Sequence, residues 1–89
     1  MTDELMANMY YVKASEAYDN DNFSEAISFC NTAISKGIQD ARIYNNRAYC
    51  YIAQGECLKA RLDLESSLKL DSTDSWVRDT INELKSKGF

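Results

Sequence analysis

The chain has no histidine, no proline, and only three glycines and three cysteines in 89 residues. Without histidine it lacks the commonest general acid–base and the commonest metal-binding imidazole. Cys30, Cys50 and Cys57 form an odd set with no CxxC pair, so they spell no zinc site. They read as small buried hydrophobes of a protein kept in a reducing compartment, the cytoplasm. No glycine-rich phosphate loop and no cysteine–base arrangement is present, so neither an enzyme nor a bound cofactor or metal is expected. Basic residues number 10 against 14 acidic ones, for a net charge of −4, and no basic face is visible, which argues against nucleic acid as a partner. No apolar run approaches the roughly 20 residues that cross a bilayer, so no membrane insertion is expected. Met1-Thr2-Asp3-Glu4-Leu5 carries no basic region and no apolar run, and does not read as a signal peptide.

An apolar content of 45% and six tyrosines argue against disorder and for one small domain over residues 1–89. With so little glycine and no proline, little interrupts helices. The chain also repeats itself at an interval of 34: Ala7 pairs with Ala41, Tyr10 with Tyr44, Ala14 with Ala48, Ala26 with Ala60 and Asp40 with Asp74. Residue class follows the same offset in Met9 and Ile43, Cys30 and Leu64, Ile34 and Leu68. A period of this length marks a repeat architecture, which builds a surface rather than a reaction centre. The expected mode of action is therefore binding. Charge divides unevenly along the chain. Residues 1–41 carry seven acids and two bases, and residues 42–89 carry seven acids and eight bases. The acidic half is either solvated helix surface or a face for a basic partner segment.

Helix phase and punctuation divide the chain into five helices. Thr2 or Asp3 can cap the first, which runs to about Asn20 with Met6, Tyr10, Ala14 and Ala17 on its apolar stripe. Asp19-Asn20-Asp21-Asn22 is turn chemistry, and Asn22 with Glu25 reads as a capping box for the second helix. That helix places Phe23, Ala26, Ile27, Cys30, Ala33 and Ile34 on one face and stops at Gly37. Asp40 can cap a third helix with Tyr44, Ala48 and Tyr51 buried, ending at Gly55. The fourth, from about Glu56 to Leu70, shows Cys57, Ala60, Leu64, Ser67 and Leu68. Asp63 and Glu65, beside Arg61 and Lys69, read as an exposed, ion-paired face. Thr73 or Asp74 can cap a fifth helix to about Lys87, with Val77, Ile81 and Leu84 on one stripe and Gly88 closing it. Connections this short make neighbours antiparallel. Ala14, Ala26, Ala48 and Ala60 mark the close crossings, where anything larger than a methyl would push the backbones apart.

This pattern resembles the tetratricopeptide-repeat family. The first repeat carries it in Ala14-Ser15-Glu16-Ala17-Tyr18, Asn22-Phe23-Ser24-Glu25-Ala26-Ile27 and Ala33-Ile34. The second does so in Tyr44-Asn45-Asn46-Arg47-Ala48, Tyr51, Gly55, Ala60 and Leu68. The resemblance implies an all-α fold of helix-turn-helix hairpins: two antiparallel helix pairs plus a capping helix, in a right-handed superhelical stack. Repeat one would span about residues 7–40, repeat two about 41–74 and the capping helix about 75–87. Departures are Ala14 and Ala48 at the usual glycine of each first helix, Ser67 for an alanine, and Ile38 and Ser72 where a proline often follows the second helix.

The resemblance further implies that the first helix of each pair lines a concave groove for a peptide of a partner protein, as in an adaptor or co-chaperone. Helix phase then nominates Asn8, Tyr11, Ser15 and Tyr18 on the first helix and Arg42, Asn45, Asn46, Tyr49 and Ile52 on the third. Trp76, Thr80 and Glu83 take the same phase on the last. Flat aromatic rings and amide side chains suit peptide recognition. Chaperone-binding co-chaperones of the family grip a terminal carboxylate with lysine, arginine and asparagine. Asn46 matches that pattern, whereas Tyr11, Ser15, Trp76 and Thr80 stand at its other positions, so the cations it requires are absent. The alternative to an adaptor is a self-associating module, a homodimer through Leu58 and Leu62. These lie one turn apart and off the main stripe, either exposed or covered by the last helix.

Overall fold

Side-chain caps start three of the five helices in the computed structural model, which describes residues 2–89. Thr2 Oγ1 accepts from the Leu5 amide at 3.2 Å and opens α1 (Asp3–Asp19). Asp40 Oδ1 accepts from the Arg42 amide at 2.9 Å and opens α3 (Ala41–Ala53). Asp74 Oδ1 accepts from the amides of Trp76 and Val77 at 3.1 and 3.3 Å and opens α5 (Ser75–Ser86). Each satisfies backbone N–H groups that the first turn leaves without a helical partner. The capping box expected of Asn22 and Glu25 does not form at the head of α2 (Phe23–Ser35), where Asn22 makes no side-chain cap. With φ −89° and ψ 67° Asn22 is not extended, and its own amide donates to Ala17 O at 2.8 Å to close α1. One residue serves both helices, its amide closing α1 and its carbonyl accepting from the Ala26 amide of α2 at 3.0 Å. Glu56, with φ −89° and ψ 62°, does the same ahead of α4 (Cys57–Leu70).

Four helices end in the same paired hydrogen-bond pattern around a left-handed residue. After α3, Gly55 (φ 77°) donates to Ile52 O at 3.0 Å and Glu56 to Tyr51 O at 2.8 Å. After α2, Gly37 and Ile38 do so to Ile34 O and Ala33 O, and the Ile38 side chain folds under into the core. After α1 the left-handed residue is Asp21 (φ 60°), 34 positions before Gly55. An aspartate tolerates this conformation at a cost that glycine does not have. Asp21→Gly is expected to stabilise the fold by about 0.5 kcal/mol once glycine's larger unfolded-state entropy is deducted, roughly 2–4 °C in Tm. Thermal unfolding followed by circular dichroism checks this, and a lower Tm would contradict it.

Each helix packs on the next in the chain, and α1 also packs on α3. Among the described residues α1 makes no such contact with α4 or α5, so the helices form an open row rather than a closed bundle. The row measures 41 × 27 × 19 Å, and its architecture is an all-α repeat of helix pairs, with no strand among the described residues. Ala14, Ala26, Ala48 and Ala60 have no exposed surface, as their role at the crossings requires.

The core comes in two parts. One gathers Ala7, Ala14, Ala17, Ala26, Cys30, Ala33, Ile38, Ile43 and Cys50 from the first three helices and the α2–α3 connection. The other joins Ala48, Ala60, Leu64, Val77, Ile81 and Leu84 across the last three. α3 serves both, which corrects its expected buried set. Ile43 and Cys50 are its fully buried residues beside Ala48, whereas Tyr44 and Tyr51 are only partly covered. A helix flanked by α1, α2 and α4 buries two faces, so a single stripe underestimates it. The buried thiols are inert: burial first, then neighbouring Cys50, push Cys30 up to about 12, and burial pushes Cys50 to about 11.

Candidate functional site

The face shared by α1, α3 and α5 brings most of the nominated residues into two connected groups. The first is aromatic. Tyr18 of α1, Tyr49 of α3 and Trp76 of α5 form one row, with ring centroids 6.1 Å and then 5.1 Å apart and planes tilted by 54° and 41°. Phe23, at the start of α2, supports Tyr18 edge-on at 5.5 Å. Tyr18 and Tyr49 stand side by side because α1 packs on α3, whereas the rings of Tyr49 and Trp76 bridge α3 and α5, whose backbones are not in direct contact. Trp76 at the end of the row is 45% exposed, which leaves much of its indole accessible to solvent. Burial, then the negative charge of Asp74, then Tyr18 and Tyr11, raise the pKa of the Tyr49 hydroxyl above the ordinary phenol value. Tyr49 therefore stays neutral and Asp74 lies within electrostatic reach of it.

The second group is polar and internally bonded. Arg42 Nε and Nη2 donate to the two oxygens of Asp40 at 3.1 and 2.9 Å, and Nη2 also donates to Asn8 Oδ1 at 2.6 Å. Its guanidinium stands 4.6 Å from the centroid of the Tyr11 ring. The bond from Arg42 holds the Asp40 carboxyl below its ordinary pKa, so the pair stays ionised. Asn46 donates its amide to Ser15 Oγ at 3.0 Å and Tyr11 O at 3.4 Å. Asn46 thus ties α3 to α1, which offsets the low helix propensity of asparagine in mid-helix. Asn45 Oδ1 is buried without a hydrogen-bond partner, and Thr80 Oγ1 donates back to Trp76 O within its own helix at 2.9 Å. Neither is joined by a hydrogen bond to a nominated residue of another helix.

The fourth helix departs from expectation at Asp63. It is not on a solvated face: it is buried and receives both arms of Arg47, Nε at 2.8 Å and Nη2 at 2.6 Å. Arg47 Nη1 also donates to Asn31 of α2 at 2.9 Å, and the rings of Tyr44 and Tyr51 flank the guanidinium at 5.7 and 5.9 Å. The signal is present in the sequence, since Asp63 shares the stripe of Ala60, Leu64 and Ser67. A carboxylate there needs a buried cation, and Arg47 on the helix before supplies it. Glu65 is ion-paired as expected, with Arg61 at 3.0 Å, but both side chains are only partly exposed. Leu58 and Leu62 are 51% and 52% exposed, so α5 does not cover them. A shallow depression between α4 and α5, floored by Leu68 and Ile81 and rimmed by Lys69, Arg78 and Lys85, shares no residue with the nominated face. Among the described residues no cluster of acids and cysteines is arranged to hold a metal, and no helix is long and apolar enough to cross a membrane.

Paired helices at a period of 34, laid in an open row with one face lined by the first helix of each pair, define a helical-repeat protein. Over 71 residues, 80% of its length, the chain is 35% identical to the Hsp70-Hsp90 organizing protein of Triticum aestivum. It is 32% identical over 72 residues, 81% of its length, to sperm-associated antigen 1 of Rattus norvegicus, and 34% identical over 68 residues, 74% of its length, to DnaJ homolog subfamily C member 3 of Bos taurus. No protein-family model matches the chain. It spans only a small part of these relatives, 12%, 8% and 14% of their respective lengths. The repeat, the fold and these relatives agree: the chain belongs to the tetratricopeptide-repeat family.

Proposed function

We propose that this domain is a protein-interaction module that holds an extended peptide segment of a partner protein on the α1/α3/α5 face. The observation that carries the proposal is the Tyr18–Tyr49–Trp76 row, which crosses three helices and ends in a half-exposed tryptophan. Large rings standing in a row offer contact area at small entropic cost, and tyrosine and tryptophan dominate binding energy where they occur in interfaces. Asn8, Tyr11, Ser15, Arg42, Asn45, Asn46 and Thr80 border it. In this reading residues 7–40 and 41–74 are the two repeats, and residues 75–87 the helix that caps them. Arg78, Asn82 and Lys85 of α5 stand where α3 carries Tyr44, Ala48 and Tyr51, 34 positions earlier, which suits a cap better than a bed for another helix. One relative is named for organising Hsp70 and Hsp90. An adaptor that joins protein partners, in a reducing compartment such as the cytoplasm, is the role that carries over.

Tyr49→Ala and Trp76→Ala are each expected to weaken partner binding at least tenfold, the effect of removing an interface anchor, with helicity unchanged. Asn46→Ala should weaken it too, but that variant also cuts the link to Ser15 and is the less clean of the three. An affinity pull-down followed by mass spectrometry, wild type against variants, identifies the groove ligands as the proteins lost with both ring variants. Identical protein sets for wild type and variants would remove the groove from consideration.

A second reading rests on Leu58 and Leu62, an apolar pair half exposed on α4. Here the domain self-associates through that face. Sedimentation at several concentrations should then show mass rising with concentration in the wild type and a monomer in Leu62→Glu. Constant monomer mass in both dismisses it.

A further inference from the structure

The groove is poorly equipped for a carboxylate and well equipped for a cation. Arg42 is the one cation among the nominated residues, and Asp40, Asn8 and the Tyr11 ring already engage its guanidinium. The amide of Asn46, the natural donor to an incoming carboxylate, is bonded to Ser15 and Tyr11 of the same chain. An anionic ligand would have to break the bonds of Asn46, and although Nη1 of Arg42 takes no part in these bonds, Asp40 already offsets the charge of that guanidinium, so little net gain is returned.

The aromatic row has the opposite character. Ring faces carry the negative side of the aromatic quadrupole, and tryptophan and tyrosine attract ammonium or guanidinium groups within about 6 Å of their centroids. Tyr18, Tyr49 and Trp76 are mutually tilted rather than stacked flat, so no ring covers the full face of the next. Asp74 stands two residues before Trp76. Its cap uses one oxygen, Oδ1, for both hydrogen bonds, although a carboxylate offers about four acceptor positions. Its bond from the Trp76 amide at 3.1 Å sets the carboxylate beside the last residue of the row, and its charge also raises the pKa of the Tyr49 hydroxyl.

We infer that the segment held in this groove carries an arginine or lysine side chain, received by the faces of Tyr49 and Trp76 with the Asp74 carboxylate as counter-charge. This deepens the peptide-groove proposal and rests on it. The occupant is a basic peptide segment, and a terminal carboxylate is not the anchor. The acidic bias of residues 1–41 favours the same partner through longer-range attraction.

Selection from a randomised peptide display library tests the charge while the partner itself is still unidentified. Affinity of the consensus peptide can then be read from the fluorescence of Trp76, the only tryptophan in the chain. The expected pool is enriched in arginine or lysine at one position, and replacing that residue with glutamine weakens binding about fivefold or more. Asp74→Asn keeps the helix cap, because asparagine caps as well as aspartate, yet removes the charge. It should weaken binding about fivefold and flatten the dependence on salt, with unchanged circular dichroism. A pool of acidic or uncharged peptides that still needs Tyr49, or equal affinity of the wild type and Asp74→Asn, overturns the cation site and leaves the groove standing. A pool with no enrichment, or one indifferent to Tyr49→Ala, overturns both.

Discussion

Asp63→Ala is expected to cost about 3–5 kcal/mol of stability, the largest effect of any substitution considered for this chain. The carboxylate is buried and takes two hydrogen bonds from Arg47, whose side chain is itself only 20% exposed. Removing it leaves a guanidinium among Tyr44, Tyr51 and Asn31 with one neutral acceptor in place of a charged partner. A domain of this size has roughly 5–10 kcal/mol in total, so the variant should lose about half of it and unfold roughly 12–40 °C lower. The pair itself need not add net stability, because desolvating two charges offsets much of their attraction. Replacing both partners with apolar residues, Arg47→Met with Asp63→Leu, should therefore recover most of the loss. Urea unfolding of Arg47→Met, Asp63→Leu and the double variant checks this as a double-mutant cycle, with Asp63→Ala measured beside it. If Asp63→Ala costs less than about 1 kcal/mol, as a solvated pair would, the buried-pair account is wrong.

Ala26→Leu and Ala60→Leu should each cost about 1–3 kcal/mol by overpacking. Both methyls are wholly buried at corresponding crossings, α2 among the first three helices and α4 among the last three. At the close packing usual of protein interiors three added carbons find no room, so the helices separate or the leucine leaves its preferred rotamers. The sites lie in different parts of the core, so their effects should add in the double variant within about 0.5 kcal/mol. Equilibrium unfolding gives all three values. A stabilised Ala26→Leu would mean that the crossing holds unfilled space.

The fold is legible in the sequence because its signals are local or periodic. Alanines at the crossings, glycines at helix ends and aspartates at helix starts each act within one or two turns, and the offset of 34 ties the hairpins together. Two kinds of residue escape. Ile43 and Cys50 lie off the single stripe expected of α3, and only the positions of its three neighbours reveal a second buried face. Asp63 reads as surface because acids usually are, although its stripe already holds Ala60 and Leu64. What sets it inside is a partner 16 residues earlier, a pairing that helix phase alone does not report. Of the site, phase lists the residues that share a face, and the row of Tyr18, Tyr49 and Trp76 follows from it. It cannot tell that Asn46 and Arg42 bond within the chain, because those bonds depend on how closely α1 and α3 approach.

The open row has a consequence for how such a domain can be carried. Because α1 meets α2 and α3 but neither α4 nor α5, what is joined beyond one end leaves the packing at the other untouched. A unit with that property is portable: it can ride inside a polypeptide many times its length, as the matching stretches of its relatives do, without asking the host to reshape itself.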